Sequence, residues 1–125
     1  MKNYISWLDL TFGDVISQPM QRVLMEDYSK KIKGKIIFEL GEDAEFGHLH
    51  LNFSEIIRKK SNADGFIFYR LEMFRDKKKK LKIQLLKQIL KKGYELHFVR
   101  QNLPLKNMLD MKKNINKILL FQSIS

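Results

Sequence analysis

Short apolar runs alternate with helical patterns along the whole chain. The first run, NYISWL, ends near Ser6 and Trp7, and KIIFEL, GFIFY and YELHFV follow it in that order. GFIFY shows no polar alternation, which indicates a strand buried on both faces. The pattern predicts four strands.

A helical pattern follows each of these runs. The first begins at Ser17, a favourable N-cap residue, and ends near Gly34. Its predicted apolar face holds Met20, Val23, Leu24 and Tyr28.

The other three helices follow from local signals. Residues 47–60 fit either a strand or a helix, and the helix is preferred because it supplies a crossover between the second and third strands. Asp76 is predicted to cap a helix over residues 76–92, which Gly93 ends. Pro104 is predicted to open the last helix.

The resulting order is βαβαβαβα in a single domain of residues 1–125. This order predicts an α/β fold with three layers and a four-stranded parallel sheet, flavodoxin-like or resolvase-like. Ligands of such sheets bind beyond the carboxyl ends of the strands, where the strand order reverses. The residues expected at those ends include Ser6, Asp9, Glu42, Arg70, Glu72, Arg100 and Gln101.

Arg70 is the most informative of these residues. An arginine directly after a buried strand is expected to face the ligand crevice, where its guanidinium can bind a phosphate or carboxylate through two hydrogen bonds. The alternative is an ion pair with Glu72 or Glu42. The crevice interpretation predicts that Arg70→Ala leaves folding nearly intact and abolishes anion binding.

The charge is concentrated in the second half of the chain. Residues 1–57 hold 6 Lys/Arg and 9 Asp/Glu, whereas residues 58–125 hold 18 and 5, including four consecutive lysines at positions 77–80. This asymmetry suggests an anionic partner, nucleic acid included, although lysines on solvent-facing helix surfaces are the preferred explanation.

The sequence disfavours several other classes. It contains no cysteine, Asp9 and Asp14 interrupt any signal-peptide core, and no segment is long and apolar enough to span a membrane, so we expect a soluble cytoplasmic protein. The loop LGEDAEFGHLH is rich in carboxylates and histidines but lacks a metal-binding spacing. We therefore predict neither a metal nor a cofactor, and within this loop Glu42 is the preferred functional carboxylate.

The chain resembles the sporadic carbohydrate cluster proteins of bacterial surface-polysaccharide gene clusters. The resemblance rests on YIS at residues 4–6, Gln21, EDYSKK, Glu42, DGFIFYRLEMF and GYELHFVRQNL. It implies a role in making or modifying an activated sugar, and it implies no particular reaction.

The organisation is also similar to the catalytic domain of serine recombinases. Ser6, Gln21 and YRLEMFR occupy the places of that family's serine, glutamine and arginine-rich segment. Glu72 and Met73 stand where the family has an aspartate and an arginine, so the similarity implies a shared fold without recombinase chemistry.

The sequence thus predicts a protein that acts on or binds a phosphorylated or nucleotide-activated sugar. Its expected catalytic residues are Ser6, Glu42 and His97, and its expected substrate-binding residues are Gln21, Arg70, Glu72 and Arg100. His97 lies within a strand, where a buried structural histidine is the alternative. The competing functions are a nucleic-acid-binding module and a non-catalytic partner of a biosynthetic enzyme, and a homodimer is a further possibility.

Overall fold

The computed structural model of the protein describes residues 1–10, 15–42, 62–76, 78 and 80–123. Its elements in chain order are β1 (Lys2–Asp9), α1 (Gln18–Lys31), β2 (Gly34–Glu42), β3 (Gly65–Phe68), a 3-10 helix (Leu71–Phe74), α2 (Ile83–Lys91), β4 (Glu95–Phe98), β5 (Leu103–Leu105) and α3 (Met108–Ser123). The predicted α/β class is confirmed. The helix predicted over residues 47–60 lies outside the described residues.

The sheet is mixed and has the strand order β2-β1-β3-β4-β5. β1 pairs in parallel with β2 and β3, β3 pairs in parallel with β4, and β5 pairs antiparallel with β4. The sheet is mostly parallel, but the predicted purely parallel sheet of four strands is wrong because the chain adds the antiparallel β5.

Pro104 lies in the centre of β5 and does not open a helix. Leu103 and Leu105 on either side of it are buried while Pro104 is exposed, so the segment alternates as a strand does. An edge strand tolerates proline because its outer side needs no N–H donor. The last helix begins only at Met108.

Helices cover both faces of the sheet. Paired residues of neighbouring strands share a face, which places His97 on one face and Phe68 and Phe98 on the other. The Tyr28 side chain of α1 contacts His97, whereas Phe74 of the 3-10 helix contacts both Phe68 and Phe98. α3 contacts the 3-10 helix and α2, so these elements lie on the side opposite α1.

α1 begins as predicted but presents a different face to the sheet. Ser17 caps it, since its Oγ accepts a hydrogen bond from the Met20 backbone N–H at 3.3 Å. Met20 and Val23 are half-exposed, while the buried residues of α1 are Gln21, Met25, Tyr28 and Ser29. The helix is rotated from its apolar pattern because Gln21 and Tyr28 turn inward and bond to Asp9 and His97.

Asp76 forms a turn and does not cap α2. Its Oδ1 accepts hydrogen bonds from the Lys78 and Lys80 backbone N–H groups at 2.8 and 3.0 Å, and its own N–H donates to the Lys80 carbonyl at 2.8 Å. Aspartate side chains stabilise such turns as readily as helix starts. We call Asp76, Lys78 and Lys80 the lysine turn; α2 starts beyond it, at Ile83.

The core beneath the 3-10 helix is aromatic. Trp7 stacks on Phe68 with ring centroids 5.5 Å apart, and Phe68 stacks on Phe98 at 5.8 Å.

Gly65 permits close approach of β3 to β4, because a Cβ at Gly65 would lie only 2.5 Å from the Glu95 carbonyl oxygen.

Candidate functional site

An ion pair lies at the carboxyl edge of the parallel strands. The chain passes from β1 to β2 on one side and then to β3 on the other, so the strand order reverses between β1 and β3. Arg70 follows β3, and its Nε lies 2.5 Å from Oδ2 of Asp9, the last residue of β1. Asp9 is fully buried and the Arg70 side chain is only 14% exposed.

A second carboxylate, Glu72, contacts one residue that follows β3 and two residues that follow β4. Its Oε2 lies 3.0 Å from Arg100 Nη1 and 4.0 Å from Arg70 Nη1, and its Oε1 accepts a 2.5 Å hydrogen bond from Gln101 Nε2. The Gln101 Oε1 in turn accepts from the Leu71 backbone N–H at 2.9 Å. We call Asp9, Arg70, Glu72, Arg100 and Gln101 the edge cluster.

The members of the edge cluster differ in their access to solvent. The Arg100 side chain is 47% exposed, whereas Arg70 and Glu72 are each 14% exposed. Arg100 is therefore the most accessible of these three side chains, and Arg70 lies deeper in the protein.

The pairing of Arg70 changes the expectation drawn from the sequence. Glu72 was a predicted partner of Arg70, but the closer contact is with Asp9. Replacing Arg70 would remove the guanidinium that compensates a buried carboxylate, which is strongly destabilising. The expectation that Arg70→Ala leaves folding nearly intact is therefore replaced by the opposite one.

Gln21 lies beneath α1 and holds the end of β1. Its Oε1 accepts from the Asp9 N–H at 2.9 Å, and its Nε2 donates to the carbonyls of Asp9 at 3.0 Å and Ile16 at 3.1 Å. The side chain is fully buried. Gln21 thus fixes the backbone that carries Asp9, and it acts on the edge cluster through that residue.

Ser6 and His97 lie on the face of the sheet that α1 covers, away from the edge cluster. Ser6 is 1% exposed, and its Oγ has no hydrogen-bond partner among the described residues. Ser6 pairs with Ile67 and Ile67 pairs with His97, so two strand spacings, about 10 Å, separate Ser6 from His97. This separation is too large for a direct serine–histidine hydrogen bond.

His97 belongs to a buried polar network. Its Nδ1 lies 2.8 Å from the Tyr28 hydroxyl, and its Nε2 lies 2.8 Å from Glu95 Oε1. Glu95 also accepts hydrogen bonds from Tyr4, at 2.9 Å, and from Lys2. A neutral imidazole satisfies both contacts if Nε2–H donates to Glu95 and Nδ1 accepts from Tyr28.

The pKa values in this network favour that neutral form. Burial lowers the pKa of His97 below its ordinary value of 6.5, and the Glu95 carboxylate offsets this only in part. Burial alone would raise the pKa of Glu95, but hydrogen bonds from Lys2, His97 and Tyr4 together lower it. Burial, followed by the Glu95 charge, raises the pKa of Tyr28 to about 12.

β2 extends two residues beyond the predicted run KIIFEL, so Glu42, which was expected just after the strand, is its last residue, and its backbone pairs with Asp9. Its side chain lies outside the described part of the structure. The backbone of Glu42 thus lies beside the edge cluster at the same end of the sheet.

Two features of the site were not predicted. Asp9 was recognised as a strand-end residue but not as the partner of Arg70, although continuing the Trp7–Phe68 pairing by two residues brings these two together. The Glu95 network was also missed. Its signal is a glutamate two residues before a histidine in an otherwise apolar strand, where both side chains share a face.

Within the described residues, no group of three or more His, Cys, Asp or Glu side chains is arranged to hold a metal ion. In the same part of the chain, no helix combines the length and apolar character needed to cross a bilayer. No protein-family model matches the chain, and neither the curated proteins nor the solved structures include a match.

Proposed function

We propose that the protein binds a phosphorylated or nucleotide-activated sugar at the edge cluster, as a cytoplasmic component of bacterial surface-glycan biosynthesis. The observation that carries this proposal is the convergence of Arg70, Arg100 and Gln101 on one carboxylate at the reversal of strand order. Arginine guanidinium groups bind phosphate through paired, charge-assisted hydrogen bonds, as they bind carboxylates.

The strand order supports this location for the ligand. The order β2-β1-β3-β4-β5 is that of flavodoxin-like sheets, in which ligands bind at the switch point between β1 and β3. The antiparallel β5 is a departure from that arrangement. The sugar part of the proposal comes from the resemblance to sporadic carbohydrate cluster proteins.

Each residue of the site has a separate role in this proposal. Arg100, which is half-exposed, would bind the phosphate directly, and Arg70, paired with the buried Asp9, would hold the chain after β3 in place. Glu72 would keep Arg100 and Gln101 oriented before the ligand arrives. Glu42, next to Asp9 in the sheet, would approach the sugar hydroxyls.

A thermal-shift panel of sugar phosphates and nucleotide sugars tests the proposal, with the unphosphorylated sugars as controls. A ligand at 100 times its dissociation constant adds about 2.7 kcal/mol to the free energy of unfolding, a shift in Tm on the order of 10 °C for a domain of this size. Phosphorylated members should raise the Tm and the parent sugars should not.

A pair of arginine variants locates the binding. Arg100→Ala should abolish the shift, while Arg22→Ala should preserve it. Arg22 is a matched control, because this α1 residue is 48% exposed and pairs with a glutamate of β2, Glu39, at 2.8 Å. A panel without any response from the folded protein, or a response lost equally in both variants, would contradict the proposal.

The lysine turn favours a second candidate, a nucleic-acid-binding module. Lys78 and Lys80 are exposed and their backbone is held by Asp76, within the half of the chain that carries the excess of positive charge. Binding through phosphates weakens steeply with salt. Measurable DNA or RNA affinity at low salt that falls on Lys78→Gln/Lys80→Gln, but not on Arg100→Ala, would favour this function.

A further inference from the structure

Glu72 occupies side-chain donors that the proposed function assigns to a ligand. Its Oε2 lies 3.0 Å from Arg100 Nη1 and 4.0 Å from Arg70 Nη1, and its Oε1 accepts a 2.5 Å hydrogen bond from Gln101 Nε2. The same donors would bind the oxygens of a phosphate group. An external anion at this position therefore competes with the Glu72 carboxylate.

The charged members of the edge cluster balance one another. Its two carboxylates are Asp9 and Glu72. Its two guanidinium groups are Arg70 and Arg100, so the formal charges of the four side chains cancel. A phosphate added to this set is attracted by the arginines and repelled by the carboxylates. Strong binding of a phosphate therefore requires one carboxylate to move away.

Glu72 is the carboxylate with access to water. Asp9 is fully buried, and its Oδ2 lies 2.5 Å from Arg70 Nε. The Glu72 side chain is 14% exposed, and its backbone belongs to a 3-10 helix of only four residues beyond the end of β3. Rotation about the Glu72 side-chain bonds can turn its carboxylate into solvent without displacing a strand. Asp9 has no such route, because its charge would remain inside the protein.

A tethered carboxylate is a strong competitor. The chain itself holds Glu72 beside Arg100 and Gln101, whereas a free anion loses translational and rotational freedom when it binds. Every anion that binds these two side chains must first separate them from Glu72, so the competition weakens all such ligands by the same factor. A ligand with additional contacts, such as those of a sugar ring, can offset this factor. Inorganic phosphate has only its oxygens and cannot.

We propose that Glu72 is an internal competitor for the anion site: binding of a phosphate displaces its carboxylate from Arg100 and Gln101 into solvent. The site then binds inorganic phosphate only weakly and accepts a phosphate as part of a larger ligand. This inference rests on the proposed function, since it concerns the selectivity of the same site. It adds a second role for Glu72, whose contacts orient Arg100 and Gln101 until the ligand replaces them.

Isothermal titration calorimetry of the full chain tests the displacement, with inorganic phosphate and glucose 1-phosphate as the two probes. Glu72→Gln removes the competing charge, while its amide oxygen can still accept the hydrogen bond from Gln101. This variant should bind both probes roughly tenfold more tightly than the unmodified protein does, because a charge-assisted contact no longer has to be broken. The two probes should gain by the same factor, because the same carboxylate is displaced in each case.

Glu39→Gln is the matched control for the loss of one negative charge. Glu39 is an exposed carboxylate of β2 that pairs with Arg22 at 2.8 Å, and its replacement should leave both affinities unchanged. Glu72→Asp keeps the charge but shortens the side chain by one methylene, which weakens the contacts of the carboxylate with Arg100 and Gln101. It should therefore also tighten binding, by a smaller factor, and it provides a second test if Glu72→Gln fails to fold.

Three results would contradict this account. Equally tighter binding in Glu39→Gln would show a general effect of charge and overturn the inference. Unchanged or weaker binding in Glu72→Gln and Glu72→Asp would also overturn it, because Glu72 then only positions its neighbours, and the proposed function would stand. Binding of neither probe to the unmodified protein or to the variants would contradict the proposed function itself, and the inference with it.

Discussion

The Asp9–Arg70 ion pair provides the strongest test of how the carboxyl edge is built. Asp9 is fully buried, and Arg70 Nε lies 2.5 Å from its carboxylate. Arg70→Met keeps much of the aliphatic volume but removes the positive charge. Removing one partner of a buried pair typically costs about 3–5 kcal/mol, because the remaining charge loses its compensation. Typical domains have about 5–15 kcal/mol of total stability, so this loss would be large.

Urea unfolding measures this loss directly. Trp7 is the only tryptophan and is fully buried against Phe68, so its fluorescence reports on the core beside the pair. The midpoint should fall while the slope of the transition stays constant, which indicates a change in stability alone. Arg22→Met is the control, since exposed ion pairs contribute about 0–1 kcal/mol.

A double-mutant cycle separates the ion pair from the loss of packing. Asp9→Asn keeps the backbone groups that bond to Gln21, and Asp9→Asn/Arg70→Met leaves neither charge in the interior. The double variant should be more stable than Arg70→Met alone, with a coupling between the two sites above about 1 kcal/mol. A cost for Arg70→Met no greater than that for Arg22→Met, together with no coupling, would refute the account of this edge.

Three further outcomes follow from the interior of the protein. Because burial lowers the pKa of His97, the unfolded chain binds more protons, so stability should fall as the pH decreases below about 6.5; in urea titrations, His97→Gln should reduce this slope. Gln21→Ala should cost several kcal/mol in the same assay, since it removes three hydrogen bonds, of which the two to Asp9 are buried. Gly65→Ala should lower the Tm markedly by forcing β3 away from Glu95, and an unchanged Tm would contradict that close contact.

Local sequence signals predicted those elements whose conformation depends only on their own short segment. The apolar run GFIFY predicted β3, which is buried at every position, and Ser17 predicted the start of α1. The alternating order of strands and helices predicted parallel pairing, which β1 to β4 show, because parallel strands require crossovers. The same rule placed Arg70 and Arg100 at one edge, where they both contact Glu72.

Tertiary contacts decided the features that local signals left ambiguous. Pro104 is as compatible with an edge strand as with a helix start, and its pairing opposite His97 selected the strand. Asp76 can cap a helix or close a turn, and the turn formed with Lys80. The choice between Asp9 and Glu72 as the closer partner of Arg70 depended on the register of β1 against β3. The register brings together Asp9 and Arg70, which are 61 positions apart in the sequence, and no local pattern of charge or hydrophobicity predicts such a contact.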